Sequence, residues 1–141
     1  MRDLANHIHP VRAISPAAAV ADNTPIVSTI VDTAGYSSLA FLIILGQIAD
    51  TDATFAVTLD HGDDPALADA VAVPDDKLTG TKALAGFKFD DDNKLRKIGY
   101  VGSKRYVRLT ITPANNTGTA FISAVALLGD SRFAPTPNPP A

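Results

Sequence analysis

Residues 37–60, SSLAFLIILGQIADTDATFAVTLD, decide the fold. Every residue from Leu39 to Leu45 is apolar. On a strand, successive side chains point to opposite faces. Leu39, Phe41, Ile43 and Leu45 therefore share one face, and Ala40, Leu42 and Ile44 share the other. A strand apolar on both faces needs cover on both. One cover is the domain core, and the expected second cover is another subunit. Asp50-Thr51-Asp52 makes a polar turn. TFAVTLD then alternates, with Phe55, Val57 and Leu59 facing inward and Thr54, Thr58 and Asp60 outward. That is the pattern of a half-buried antiparallel strand.

The same period runs outward from this stretch. IVSTIVD at 26–32 is rich in β-branched residues and reads as a strand, with a turn at Ala34-Gly35. HGDDP at 61–65 is a turn, 66–73 a short strand or irregular segment, and 75–86 a long connection. Phe87 and Phe89 suggest a short strand, and Asp90–Asn93 a tight turn. LRKIGYV at 95–101 and KRYVRLTIT at 104–112 read as a β-hairpin around Gly102-Ser103. PANNTG at 113–118 is a further turn, and TAFISAVALL at 119–128 a last strand apolar on both faces. About seven or eight short strands separated by turns predict an all-β fold, an antiparallel β-sandwich of jelly-roll type. The domain spans 25–128. Pro10, Pro16 and Pro25 mark 1–24 as an extended arm, and 129–141 is a proline-rich tail expected to be extended or mobile.

Composition narrows the function. The chain has 141 residues, enough for one domain with its own core. It has no cysteine, which excludes disulfides and thiolate chemistry. Charged residues make up only 19% while apolar ones reach 46%. A surface so poor in charge favours a homo-oligomer or assembly component. The net charge of −3 provides no basic field for nucleic acid. No apolar run approaches the length of a membrane helix, and the N-terminus lacks the apolar core of a secretory signal. A soluble protein made in the cytoplasm is expected.

Candidate chemistry is sparse. There is no G-x-S-x-G, P-loop or G-x-G-x-x-G motif, so no catalytic or cofactor-binding residue is predicted. His7 and His9 would share one face of an extended strand. His61 stands beside Asp60, Asp63 and Asp64. Either group has donors a metal could use, but the sequence favours solvated polar turns, and no metal site is predicted. Asp50–Asp52 and Asp90–Asn93 lack the glycine and distal glutamate of an EF-hand and read as turns.

The segment LRKIGYVGSKRYVR is the most suggestive feature, a basic patch with two tyrosines. Its alternative is a solvated strand face whose charges pair with the acidic loop at 60–76. Its motif, Ile98-Gly99-Tyr100-Val101-Gly102-Ser103-Lys104-Arg105-Tyr106-Val107-Arg108, resembles that of a widespread group of small tailed-phage and prophage proteins encoded near the major capsid protein. The opening Met1-Arg2-Asp3-Leu4, the stretch Val11–Ala17 and TFAVTLDHGDD at 54–64 are also similar to that group. The tail and the 75–89 connection depart from its pattern. The resemblance implies a virion structural part, most simply a decoration (cement) protein on the capsid exterior. The implied partners are the major capsid protein and further copies of itself, a trimer being favoured. The expected interface comprises Leu39, Phe41, Ile43, Tyr100, Lys104, Arg105, Tyr106 and Arg108, with the terminal arms. A head–tail connector or tail component is the first alternative, and a carbohydrate-binding module a lower one, since three tyrosines and no tryptophan make a poor sugar platform.

Overall fold

The two-faced stretch lies within a 13-residue strand, which the computed structural model places at the centre of a sheet. The structure describes residues 2–140. Their strands are β1 (His9–Ile14), β2 (Ile26–Val27), β3 (Val31–Asp32), β4 (Tyr36–Ile48), β5 (Thr54–Gly62), β6 (Val71–Ala72), β7 (Leu78–Thr79), β8 (Phe87–Lys88), β9 (Leu95–Tyr100), β10 (Tyr106–Ala114) and β11 (Ala120–Ser131). One sheet has the order β1-β11-β4-β9-β7. The other runs β2-β10-β5-β6, with β3 also on β10 and β8 also on β5. All pairings are antiparallel. This is the predicted jelly-roll-like sandwich.

Consecutive long strands alternate between the sheets: β4 in the first, β5 in the second, β9 in the first, β10 in the second, β11 in the first. This corrects the predicted hairpin at 95–112. β9 pairs with β4 and β10 with β5, so Gly102-Ser103 lies in an arch that crosses from one sheet to the other. The physical reason is that both strands carry an apolar face. In an arch, Ile98 and Tyr100 face Val107, Leu109 and Ile111 across one shared interior, and all five are buried. Phe41, Ile43, Leu59 and Leu128 complete the centre at 2% exposure or less. Phe55 stacks on Phe87 at 4.7 Å, sealing one end.

Polar side chains bind the arches at both ends. At one end the Asp50 carboxylate accepts N–H bonds from Asp52 (2.8 Å) and Ala53 (3.1 Å) in its own arch. Its second oxygen accepts from Thr117 N–H, Thr117 Oγ1 and Gly118 N–H, at 2.8, 3.1 and 2.9 Å, in the β10–β11 arch. These donors hold its carboxyl far below the usual carboxylate range. At the other end the arch after β9 wraps the Tyr100 hydroxyl. That oxygen accepts the Lys104 N–H at 3.0 Å and bonds His61 Nδ1 at 2.8 Å. A Cβ at position 102 would collide with the Tyr100 ring, which explains Gly102 better than a turn type does.

The predicted arm and tail are built into the domain. Inside residues 1–24, β1 pairs along β11, Val20 bridges Ala120, and buried Asn116 donates to the Val20 and Asp22 carbonyls. Thr29 donates from both its N–H and its hydroxyl to the β1 carbonyls of Ala13 and Arg12. That detour breaks the predicted 26–32 strand into β2 and β3. In the tail, Thr136 is 5% exposed. Its N–H donates to Asn6 O at 2.9 Å and its hydroxyl to Ile8 O at 2.6 Å. The proline spacing signals extended backbone correctly, but extended backbone at a sheet edge docks instead of trailing free.

Two outcomes follow. Phe41→Ala should cost about 3–5 kcal/mol by opening a cavity in a closed interior, whereas Thr58→Ala on an exposed outer face should stay within about 0.5 kcal/mol; chemical denaturation measures both. Asp50→Asn should lower Tm at neutral pH. The depressed carboxyl stabilises fully above the unfolded carboxylate value of about 3.9 and loses that effect as pH falls below it. The Tm gap between wild type and variant should therefore narrow as pH falls from 5 to 2.

Candidate functional site

The outer faces of the two sheets differ in chemistry. On the six-stranded sheet, β5 and β10 present Thr54, Ala56, Thr58, Thr110 and Thr112, with Asp60 and Arg108 paired at 3.2 Å. That face is mostly small side chains and a closed ion pair, with an exposed large aliphatic, Val27, beside Thr110 on the edge strand β2. The five-stranded sheet presents the second apolar side of β4 and β11. Its register sets three cross-strand rows: Pro10–Leu127–Ala40–Gly99, then Arg12–Val125–Leu42–Lys97, then Ser123–Ile44–Leu95. Phe121 follows, lying over Gly46. Ile44 is 45% exposed, Phe121 49% and Leu95 68%. Leu42, Val125 and Leu127 are half-buried, and Leu127 borders a groove with Ile8, Thr79 and Val101. Leu84 of a short helix, α1 (Lys82–Ala85), borders the same groove as Leu95 and is 72% exposed. Among the described residues no element of the chain covers this face.

The structure thus redistributes the predicted interface. Leu39, Phe41 and Ile43 lie in the core at 5% exposure or less, and Tyr100 is 5% exposed, so the outward surface of the sheet is built from other residues. The opposite set on the same strand, Ala40, Leu42 and Ile44, faces outward. The period of β4 supplied the two faces; only the position of the second sheet decides which one is inside. Phe121, Val125 and Leu127 carry the same face on β11 and were legible as the outward half of the last two-sided strand.

The basic cluster is largely neutralised within the chain. Lys104 Nζ meets Asp63 at 2.7 Å, and Arg105 grips Asp32 with Nε and Nη2 at 2.8 and 2.9 Å while stacking over Tyr106. Side-chain hydrogen bonds from Lys104 and Arg105 hold the Asp63 and Asp32 carboxyls below the usual range. Arg108 pairs with Asp60. Lys104, Arg105, Tyr106 and Arg108 thus form a paired face with Asp63, Asp60 and Asp32 of β3.

The donors around His61 have other partners, while the buried His9 Nδ1 has no hydrogen-bond partner among the described residues. His61 holds Tyr100, Asp60 and Asp63 hold cations, and Asp69 accepts the N–H groups of Asp63 and Asp64. Asp91 is buried, which raises its carboxyl, yet the Lys88 N–H, Lys94 and Arg96 draw it below the ordinary value. His7 belongs to a 3-10 turn (Ala5–His7), while His9 begins β1 and stacks on Tyr36 at 5.6 Å, so the two do not share a strand face. No group of three potential ligands occurs among the described residues.

One cleft of about 350 Å³ opens beside the β9–β10 arch. Thr33, Tyr36, Ser37, Ser38 and Ser103 line it with hydroxyls and one half-buried ring, and Lys104 borders it with a cation.

No protein-family model and no curated protein matches the chain. Among solved structures, it is similar to the CBM22-1–GH10 modules of Clostridium thermocellum endo-1,4-beta-D-xylanase 10B complexed with xylohexaose. That match has 9% identity and a TM-score of 0.44, and covers 92% of this chain but 27% of the xylanase chain. It is also similar to a family 35 carbohydrate-binding module from an environmental isolate, at 10% identity and a TM-score of 0.47, covering 84% of this chain and 77% of the module. A third similar structure is that of infectious bursal disease virus, Gx strain, at 11% identity and a TM-score of 0.44, covering 90% of this chain and 34% of the viral chain.

Tyr100→Phe should remove both bonds of the arch and cost about 1–2 kcal/mol. Faster amide hydrogen exchange at Lys104, with the β4–β11 ladder still protected, would locate the loss in the arch.

Proposed function

We propose that this protein is a non-catalytic subunit of a larger protein assembly, docked through the outer face of its five-stranded sheet. One observation carries the reading: β4 and β11 bury one apolar face in the core and leave a second, contiguous one uncovered, with Ile44, Leu95 and Phe121 exposed. Apolar patches that extend across several strands mark interaction surfaces on soluble proteins. In its finer form the reading is a decoration (cement) protein on the exterior of a tailed-phage capsid. The similarity of Ile98–Arg108 to the phage group supports it, and so does a domain whose arches are clamped at both ends. Copies arranged as a trimer would add avidity to each docking contact.

A carbohydrate-binding module is the second reading. The hydroxyl-lined cleft beside Tyr36 and Lys104 favours it. The exposed aromatics oppose it, since Phe89, Phe121 and Phe133 are dispersed over different elements.

Mixing the purified protein with undecorated shells of the phage or prophage that encodes it separates the two. The decoration reading expects the protein to sediment with the shells and to appear over the whole surface in negative stain. Density at a single vertex would favour a connector or tail part. No co-sedimentation, together with specific retention on a glycan array, would replace the reading with the second one.

A further inference from the structure

The chain has twelve Lys and Arg side chains. Eight of them lie in ion pairs: Lys77, Lys82, Lys88, Lys94, Arg96, Lys104, Arg105 and Arg108. Among the described residues, Arg2, Arg12, Lys97 and Arg132 are in none. Two of these four occupy the exposed apolar face, and they occupy it symmetrically. The register aligns Arg12 with Val125, Val125 with Leu42, and Leu42 with Lys97. One row across four strands thus has a cation at each end and two aliphatic side chains between. Three strand spacings separate the ends by about 14 Å. The rows on each side of it, Pro10–Leu127–Ala40–Gly99 and Ser123–Ile44–Leu95, contain no carboxylate. Both Arg12 and Lys97 are exposed.

This pattern selects among occupants. Two copies packed face to face about a twofold axis through this row would lay it against itself. Four cations would then be drawn out of water around an apolar contact, with no carboxylate on either face to meet them. Burying unpaired charge in this way is strongly unfavourable. A partner with an apolar centre and carboxylates at both margins meets the same face without that penalty, and gains steering from the opposite charge.

Resting on the assembly reading above, we propose that the outer face of the five-stranded sheet docks a different protein, through an apolar patch flanked on both sides by Asp or Glu, and is not a contact between copies of this chain. For the shell, this means that the decorated site carries acidic margins about 14 Å apart.

The test measures binding to undecorated shells for wild type, the double variant Arg12→Glu/Lys97→Glu, and Arg132→Glu as an unpaired cation off the face. Sedimentation equilibrium of each protein alone runs in parallel. The proposal expects wild-type binding that weakens with added salt and a loss of about tenfold or more in the double variant. It expects near wild-type binding for Arg132→Glu, and the same oligomeric state for all three proteins. Circular dichroism confirms that the double variant is folded. If the double variant binds as wild type does, docking lies elsewhere; the proposal falls and the assembly reading stands. If the double variant changes the oligomeric state, the face is a self-contact and the proposal falls. If wild type itself does not bind shells, the decoration reading fails and takes the proposal with it.

Discussion

The structure depends on consecutive long strands being placed in opposite sheets. β4, β5, β9, β10 and β11 each carry an apolar face, and each faces its sequence neighbour across the interior instead of bonding to it. Hydrogen bonding is then satisfied by strands from elsewhere in the chain: β4 lies between β11 and β9, and β10 bonds β5. Because the ladders between the long strands join distant segments, the arches between those strands carry unusual responsibility. Their backbone groups have no ladder to enter, and buried backbone polar groups must find partners. Asp50 and the Tyr100 hydroxyl supply them, one at each end.

The same constraint creates the asymmetry between the two outer faces. A sandwich has two interior faces and two exterior ones. The six-stranded sheet turns mainly threonines and a closed ion pair to the exterior, with Val27 at its edge. The five-stranded sheet turns outward the remaining half of two strands that are apolar on both sides. The exposed apolar face is thus a consequence of where the interior was built. Charge follows a similar division. Most cations are neutralised by carboxylates of neighbouring loops, and the two left on the apolar face stand alone.

Arm and tail show how local signals and tertiary context combine. Prolines at 10, 16 and 25 and in the last nine residues make helix unfavourable and leave the backbone extended. Extended backbone carries free N–H and C=O groups, and the edge of β11 and the 3-10 turn at Ala5–His7 accept them. Residues that read as reaching toward a neighbour are in fact the seam of their own domain.

Much of the molecule was determined by sequence alone. The period of two over 37–60, repeated in 106–112 and 119–128, settles the all-β class, the position of the long strands and the existence of two apolar faces on β4 and β11, because side-chain alternation is a local property of extended chain. The absence of cysteine and of nucleophile or nucleotide motifs is equally a matter of reading residues. Tertiary structure alone decided which face of β4 is interior, that 95–112 is an arch and not a hairpin, and that Lys104, Arg105 and Arg108 are answered by Asp63, Asp32 and Asp60. Those partners are separated by 41 to 73 positions in the chain. A local pattern specifies that a strand has two sides; only the packing of distant strands specifies which side meets water.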